Sequence, residues 1–240
     1  MRSADARHVP DSPGSWLLTA TDLAVTPAEH GVLAAAFHAD TRLDTCMPPG
    51  DDYRHRAYQC FALSVAERDL RIVPDPPPYW QSTEVNPLVG GIERRFALIP
   101  GGHPATAVVA KIIAGVAELL RTAGVLDARR NPRCLVDAHY IRILAPGEPA
   151  PEGIHRDGLL AGSAHLIARE NITGGVSEIY DPPVDPASQP KLLRRFTLTE
   201  PLDSYAFDDE RVLHYAGPIA AQAPGRTAYR DVLLIGFRPA

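Results

Sequence analysis

Short segments of β-strand type dominate the second half of the 240-residue chain and constrain its fold more than any other feature. Each has an alternating or continuous apolar pattern and is bounded by Gly, Pro or paired acidic residues, as is typical of strands joined by tight turns. The segments are residues 135–144, 163–168, 175–180, 192–198, 204–207 and 229–237. Many short strands in succession predict a β-sandwich or a β-barrel.

Two helices are predicted in the first half, with alternating, strand-like segments around residues 53–63 and 70–73 after the first of them. Thr26-Pro27-Ala28-Glu29 has the pattern of a capping box with Pro at the first helical position, and apolar residues follow at helical spacing to about Ala39. Residues 103–121 place aliphatic side chains on one helical face, and Gly124 provides a stop. The sequence therefore predicts a mainly β fold with flanking helices packed outside the strands.

Composition excludes several classes of protein. A net charge of −5 argues against nucleic acid as the main partner, because phosphate-binding domains normally carry a basic excess. The chain has no run of about 18 apolar residues, so no membrane helix is expected, and its first residues lack the apolar centre of a secretory signal. Cys46, Cys60 and Cys134 form no C-x-x-C pair, so we expect buried thiols and a cytoplasmic location.

The most informative chemical pattern is Pro-Glu-Gly-Ile-His-Arg-Asp-Gly at residues 151–158. Side chains at i and i+2 of a strand project to the same face, so His155 and Asp157 can offer a nitrogen and an oxygen to one point. His214, near the end of the β-rich region, is the candidate third ligand. Two His and one carboxylate leave one side of a metal open, which suits ferrous iron that activates O₂. The H-x-D spacing by itself is also consistent with a surface ion pair.

Arg230 is the second informative residue. It begins Arg-Asp-Val-Leu-Leu-Ile-Gly-Phe, which reads as a buried strand, and a buried guanidinium is costly without a partner. A dicarboxylate co-substrate could neutralise it by a bidentate contact. Asp231 is a poor partner because adjacent strand residues point to opposite faces. Arg226 is the alternative for the co-substrate role.

Several ordered motifs together resemble the Fe(II)/2-oxoglutarate-dependent dioxygenases of the L-isoleucine 4-hydroxylase type. The resemblance covers roughly residues 50–238. The matching segments are residues 81–91 with Arg94, 151–158, 169–175, 180–181, 208–214 and 229–233.

The resemblance implies a double-stranded β-helix, also called a jelly-roll or cupin-like core. It implies Fe(II) held by His155, Asp157 and His214, and 2-oxoglutarate whose distal carboxylate meets Arg230. O₂ would be the second co-substrate, and a free L-amino acid would be hydroxylated at an unactivated carbon. We expect a single domain over residues 1–240, with a loose tail (1–14), a helical and strand framework (15–130) and a metal-binding core (131–240).

The chain departs from the family pattern at two places. Tyr215-Ala216-Gly217 replaces the small residue, Val and Thr expected after the distal His, and residues 46–58 are atypical. Both segments are expected to line the substrate pocket, so the amino acid that is oxidised cannot be transferred from the family.

Substrate contacts are predicted from chemistry. An amino acid needs a cation for its carboxylate and an acid or a carbonyl for its ammonium. Arg142, or else Arg54 or Arg56, is the candidate cation, and Glu152 is the candidate for the ammonium unless it only orients the metal loop.

Two rival functions share the same residues. One is a cupin-like isomerase or hydrolase that uses zinc or manganese without 2-oxoglutarate. The other is a small-molecule-binding module with a vestigial metal site. No membrane partner is expected. The sequence does not determine the oligomeric state, and a homodimer is one candidate because small barrels of this kind often pair.

Overall fold

The computed structural model describes residues 13–185 and 188–240. The first half contains β1 (Ser15–Leu18), α1 (Pro27–Asp40), β2 (Arg42–Leu43), β3 (Arg54–Ser64), β4 (Asp69–Val73), β5 (Ala97–Leu98) and α2 (Pro104–Thr122). The second half contains β6 (Arg133–Leu144), β7 (Ala161–Glu170), β8 (Ile172–Gly174), β9 (Val176–Asp181), β10 (Lys191–Thr197), β11 (Ser204–Asp208), β12 (Leu213–Ala216), β13 (Ile219–Ala221) and β14 (Tyr229–Pro239). Of the predicted tail, residues 1–12 lie outside the described part.

Both predicted helices are confirmed. Thr26 and Glu29 form a reciprocal capping box at the start of α1, in which the Thr26 N–H donates to Glu29 Oε2 at 2.8 Å. His103 caps α2 by accepting from the Ala105 N–H at 3.1 Å. Gly124 follows α2 with a φ of +77°, a conformation that Gly adopts without strain.

The strands form two layers. The larger sheet has the order β1-β11-β7-β14-β6-β3-β2, with β4 and β5 also paired to β3. The smaller layer consists of a three-stranded sheet, β10-β9-β12, and a two-stranded sheet, β13-β8. Apart from the short parallel β3–β5 pair, all pairings are antiparallel in the described part of the chain. This is the jelly-roll that the resemblance implied, so the predicted fold class is confirmed.

Strand alternation gives the larger sheet two different faces. On its outer face, residues such as Ala138 and Tyr140 of β6 and Leu233 and Ile235 of β14 join the aliphatic faces of α1 and α2 in one apolar core. The inner face turns toward the smaller layer. Because α1 and α2 cover the outer face, the inner face is the side that remains open for a cavity.

The predicted strands are all present, including β3 and β4 in the first half, but several short strands were not predicted. β8 and β13 have three residues each and β12 has four, too few for a periodic pattern to stand out. Strands from both halves of the chain belong to the larger sheet, which supports the single domain that we propose. Neither helix in residues 13–185 and 188–240 has the length and apolar character of a membrane span.

Candidate metal centre and anion site

A cavity lies between the two layers, and the predicted metal ligands are in its wall. The inner face of β3, β6 and β14 lines one side. Tyr205 and Phe207 of β11, in the same sheet, also line the cavity, and His214 and Ala216 of β12 line it from the smaller layer. Ala216 belongs to the segment after the distal His that departs from the family pattern, and the structure places it in the cavity wall as predicted.

The fold brings His155, Asp157 and His214 together. One donor atom from each residue lies within 4.8 Å of the other two. Nε2 of His155 is 3.6 Å from Oδ1 of Asp157, and Nε2 of His214 is 3.5 Å from Oδ2 of the same carboxylate. Two imidazole nitrogens and one carboxylate are the donor set that non-haem Fe(II) prefers, so these residues could hold that metal.

Backbone and ring contacts orient the two imidazoles. The backbones of His155 and His214 form a short antiparallel bridge, with N–H to O=C distances of 3.1 and 2.9 Å. Nδ1 of His155 lies 2.8 Å from the Gly153 carbonyl, so this nitrogen carries the proton and donates it. Nε2 is therefore left as the metal-binding atom, which is the usual function of such a backbone contact in metal sites.

Two further side chains hold the metal loop, and neither was given this role from the sequence. Asp209 accepts from the N–H groups of Asp157 at 3.1 Å and Leu159 at 2.8 Å. Gln81 donates from Nε2 to the Asp157 carbonyl at 2.9 Å, and Arg94 donates to Gln81 in turn. Both Asp209 and Gln81 belong to family-like segments, so the signal was present as a motif, but their partners became visible only in the fold.

Burial and neighbouring charges set the protonation states of the cluster. Burial lowers the pKa of His214 to about 4, so its imidazole is neutral at pH 7, as a ligand must be. Burial opposes ionisation of Asp157, but His214 and His155 outweigh it and lower the carboxyl pKa to about 2. Burial also opposes the charged form of His155, but Asp157 raises its pKa to about 9. Binding of a cation here would therefore displace a proton from His155.

Arg230 provides an anion site in the same cavity. It is only 4% exposed, and its Nε has no hydrogen-bond partner. Within residues 13–185 and 188–240, no carboxylate lies within 4.0 Å of its guanidinium. Burial lowers its pKa to about 10, which still leaves the side chain charged at pH 7. A buried cation without a protein partner fits the distal carboxylate of a keto-acid co-substrate.

The other predicted cations have different positions. Arg226 is exposed and lies 3.5 Å from Glu170, outside the cavity. Arg142 also lies outside it, on the outer face, where Nε and Nη2 each donate to Asp231 at 2.7 Å. Our prediction that Arg142 contacts substrate therefore has to be corrected, because its guanidinium serves a buried carboxylate on the opposite face. Asp231 is no partner of Arg230, as predicted.

Glu152, Arg54 and Arg56 do line the cavity. Oε1 of Glu152 is 3.7 Å from Nε2 of His155, directly beside the metal cluster. Arg54 and Arg56 are on the inner face of β3, within the atypical segment 46–58. The pocket role predicted for that segment thus agrees with the position of its arginines.

Comparison with known proteins agrees with this geometry. A family model described as 2OG-Fe dioxygenase matches residues 35–236. The 3(1)-hydroxy-L-isoleucine 4-dioxygenase of Pantoea ananatis is 25% identical over 169 residues, which are 67% of this chain and 64% of that protein. The chain thus spans slightly less than two thirds of the length of this curated relative.

Solved structures show the same fold. A bsmA homolog from Methylobium petroleophilum superposes with a TM-score of 0.76 at 27% identity, over 95% of this chain and 89% of that one. IDO from Bacillus thuringiensis superposes with a TM-score of 0.72 at 20% identity, over 95% and 91% of the two chains. The donor set and the buried Arg230 fit Fe(II) and 2-oxoglutarate, and the family model covers most of the sequence. The chain therefore belongs to the 2OG-Fe dioxygenase family.

Proposed function

We propose that the chain is an Fe(II)- and 2-oxoglutarate-dependent dioxygenase that hydroxylates an unactivated C–H bond of a free L-amino acid or a close derivative. The observation that carries this proposal is the shared cavity of two sites. One is the cluster of His155, Asp157 and His214, and the other is the unpaired guanidinium of Arg230. A metal site and an anion site in one cavity are what a metal-bound keto acid with a distal carboxylate requires.

In this proposal His155, Asp157 and His214 hold the iron. When bound, Fe(II) and 2-oxoglutarate would enable O₂ to oxidise the substrate, with release of succinate and CO₂. The protein contributes geometry: the Gly153 carbonyl orients His155, and Asp209 and Gln81 hold the loop that carries Asp157. Fixed positions of the reacting groups are what a protein adds to cofactor chemistry.

Arg230 is proposed to bind the distal carboxylate of 2-oxoglutarate. The unpartnered Nε of Arg230 supports this role, because a bound carboxylate would supply an acceptor that the described residues do not. The low exposure of Arg230 also excludes competing water, which strengthens a charge-assisted contact.

The proposal of an amino-acid substrate is supported by groups beside the metal cluster. Glu152 is positioned to accept hydrogen bonds from an ammonium group. Arg54 and Arg56 are the cavity cations that replace Arg142 as candidates for a carboxylate. The Pantoea relative is, by its name, a dioxygenase of a hydroxylated L-isoleucine, which agrees with this class of substrate.

The test is product analysis with the purified protein, Fe(II), ascorbate, 2-oxoglutarate and a panel of free L-amino acids. We expect one or more amino acids to stimulate succinate formation, with an equivalent amount of hydroxylated product. Metal-dependent turnover of a substrate without 2-oxoglutarate would instead favour the cupin-like isomerase or hydrolase. Absence of turnover and of 2-oxoglutarate binding would favour a vestigial site.

Two expectations extend the proposal beyond the site. A cytoplasmic location is supported by Cys46, Cys60 and Cys134, which are all free thiols. The homodimer stays a prediction, which sedimentation of the purified protein would check.

A further inference from the structure

A second group of cations lies in the same cavity, apart from Arg230. We call Arg54, Arg56 and Arg94 the arginine wall. Arg54 and Arg56 are two residues apart on β3 and therefore project to the same face of the sheet. Arg94 is joined to Tyr79 by an isolated antiparallel bridge. All three are at least nine-tenths buried, with exposures of 7%, 7% and 4%.

Two of these guanidinium groups have only neutral partners. Arg54 donates from Nη2 to the carbonyls of Pro149 at 2.8 Å and Glu148 at 3.3 Å. Arg94 donates from Nη2 to Gln81 Oε1 and lies over the ring of Tyr79 at 4.9 Å.

Of the three, Arg56 alone has an acidic partner in the described part of the chain, Asp44 at 3.1 Å. For Arg54 and Arg94, no carboxylate lies within 4.0 Å in the described ranges, and the Nε of each lacks a hydrogen-bond partner. Buried guanidinium groups in a cavity wall without counter-ions indicate a site for an anion that the protein itself does not supply.

The charges around the arginine wall indicate how much negative charge a ligand would have to supply. Among the described residues, Asp44 pairs with Arg56, and Glu152 lines the cavity and interacts electrostatically with Arg54. Asp137 also lines the cavity, but Arg238 neutralises it at 2.7 Å. Asp157 belongs to the metal cluster.

His139, also in the cavity wall, is neutral, because burial lowers its pKa well below the ordinary value. The three cations of the wall therefore face two acids, which leaves one positive charge. A zwitterionic amino acid adds no net charge and would leave this excess in place. An amino acid with an acidic side chain carries one net negative charge and would cancel it.

We propose that the substrate is an L-α-amino acid with a second carboxylate on its side chain. This inference rests on the proposed function and narrows its substrate class. Glu152 accepts hydrogen bonds from the ammonium group beside the metal site. Arg54 and Arg94 each bind one of the two carboxylates. A neutral analogue would leave a buried guanidinium unpaired, which is the situation in which binding sites discriminate most strongly.

The location of Arg54 and Arg56 agrees with a role in specificity. Both are in segment 46–58, where the sequence departs from the pattern of the family it resembles. Their side chains reach the cavity from β3 in the larger sheet, whereas His214 reaches it from β12 in the smaller layer.

The test compares isosteric pairs on the wild-type protein: L-glutamate with L-glutamine, and L-aspartate with L-asparagine, each alongside L-leucine and L-methionine. Binding is measured by anaerobic calorimetry with Mn(II) and 2-oxoglutarate, and turnover by succinate formation with Fe(II). We expect an acidic member to bind at least about 100-fold more tightly than its amide and to show the higher kcat/KM.

Equal or better binding and turnover of a neutral amino acid would overturn the inference and leave the proposed function intact. No response to either kind of amino acid would overturn both.

A variant pair then assigns the effect to the arginine wall. Arg54→Gln should reduce the preference for acid over amide at least about tenfold without changing the KM for 2-oxoglutarate. Arg71→Gln is the control, because Arg71 is on β4 with 80% of its side chain exposed. An unchanged acid-to-amide ratio in a folded Arg54→Gln protein would show that Arg54 only supports the backbone of Glu148 and Pro149.

Discussion

Arginines on the two faces of the larger sheet have different partners. On the outer face, Arg142 and Asp231 from neighbouring strands neutralise each other through two contacts of 2.7 Å. On the inner face, the strand that carries Asp231 also carries Arg230, which has no such partner in the described residues. Along β14, a charge that the fold neutralises thus lies directly next in sequence to one that no carboxylate of the described residues neutralises.

Burial of a charged side chain is therefore not by itself evidence of a functional site. Arg142 and Arg230 are both arginines on central strands, and both looked like site residues in the sequence. What distinguishes them is whether a carboxylate of the protein is within reach, and that depends on register and on the face of the sheet.

The largest effect is expected from the metal cluster of the inner face. Asp157→Ala or His155→Ala should lower turnover by at least about 1,000-fold, because a donor of the metal is lost. Succinate assays, with bound iron measured in parallel, check this. His38→Ala, an exposed residue of α1 on the outer side, should have no effect. Full activity in both cluster variants would place the metal elsewhere.

The second largest effect is expected from Arg230→Gln, which removes the proposed partner of the distal carboxylate of 2-oxoglutarate. Loss of a buried, charged contact costs about 2–5 kcal/mol, so the KM for 2-oxoglutarate should rise about 30-fold or more. Steady-state kinetics with varied 2-oxoglutarate measure it. The exposed Arg226→Gln is the matched control, and a rise in the control but not in Arg230→Gln would exchange the two roles.

Arg142→Ala should affect stability and not substrate affinity. It leaves Asp231, which is fully buried, without its partner, and the free energy of unfolding should fall by about 3 kcal/mol. Urea denaturation measures this. Arg71→Ala is the control, because both partners of its ion pair with Asp69 are exposed, at 80% and 43%, and it should cost about 1 kcal/mol or less. A higher KM for the amino acid in Arg142→Ala, with unchanged stability, would restore our original assignment.

The smallest expected effect is the contribution of one histidine on the outer face to the pH dependence of stability. His165 is fully buried between Ser163 and Ser204, and burial lowers its pKa to about 3. Below about pH 6.5 the unfolded chain binds a proton at this residue and the folded chain does not, so stability falls with pH. Between pH 6.5 and 5 this contribution amounts to about 2 kcal/mol.

Urea denaturation at pH 7 and pH 5 of the wild type and His165→Asn isolates that contribution. The variant should lose less stability on acidification than the wild type. Parallel losses in the two proteins would mean that His165 is protonated in the folded state.

Much of the molecule could be predicted from local sequence. The capping box of Thr26 and Glu29, the face of α2 and the longer strands follow from spacing and turn residues, which act over a few positions. The i, i+2 spacing of His155 and Asp157 likewise placed two donors on one side of a segment. The short strands β8, β12 and β13 gave no comparable signal, because three or four residues are fewer than a pattern needs.

The sequence by itself determined the donor types, their local spacing and the mainly β fold, since these depend on near neighbours along the chain. Only the tertiary structure decided that His214 joins His155, that Asp209 and Gln81 hold the metal loop, and that Arg54 and Arg94 face the cavity while Arg142 binds Asp231. The physical reason is that pairing of strands distant in sequence sets which side chains meet. A change of one residue in register or face turns a cavity cation into half of an internal ion pair.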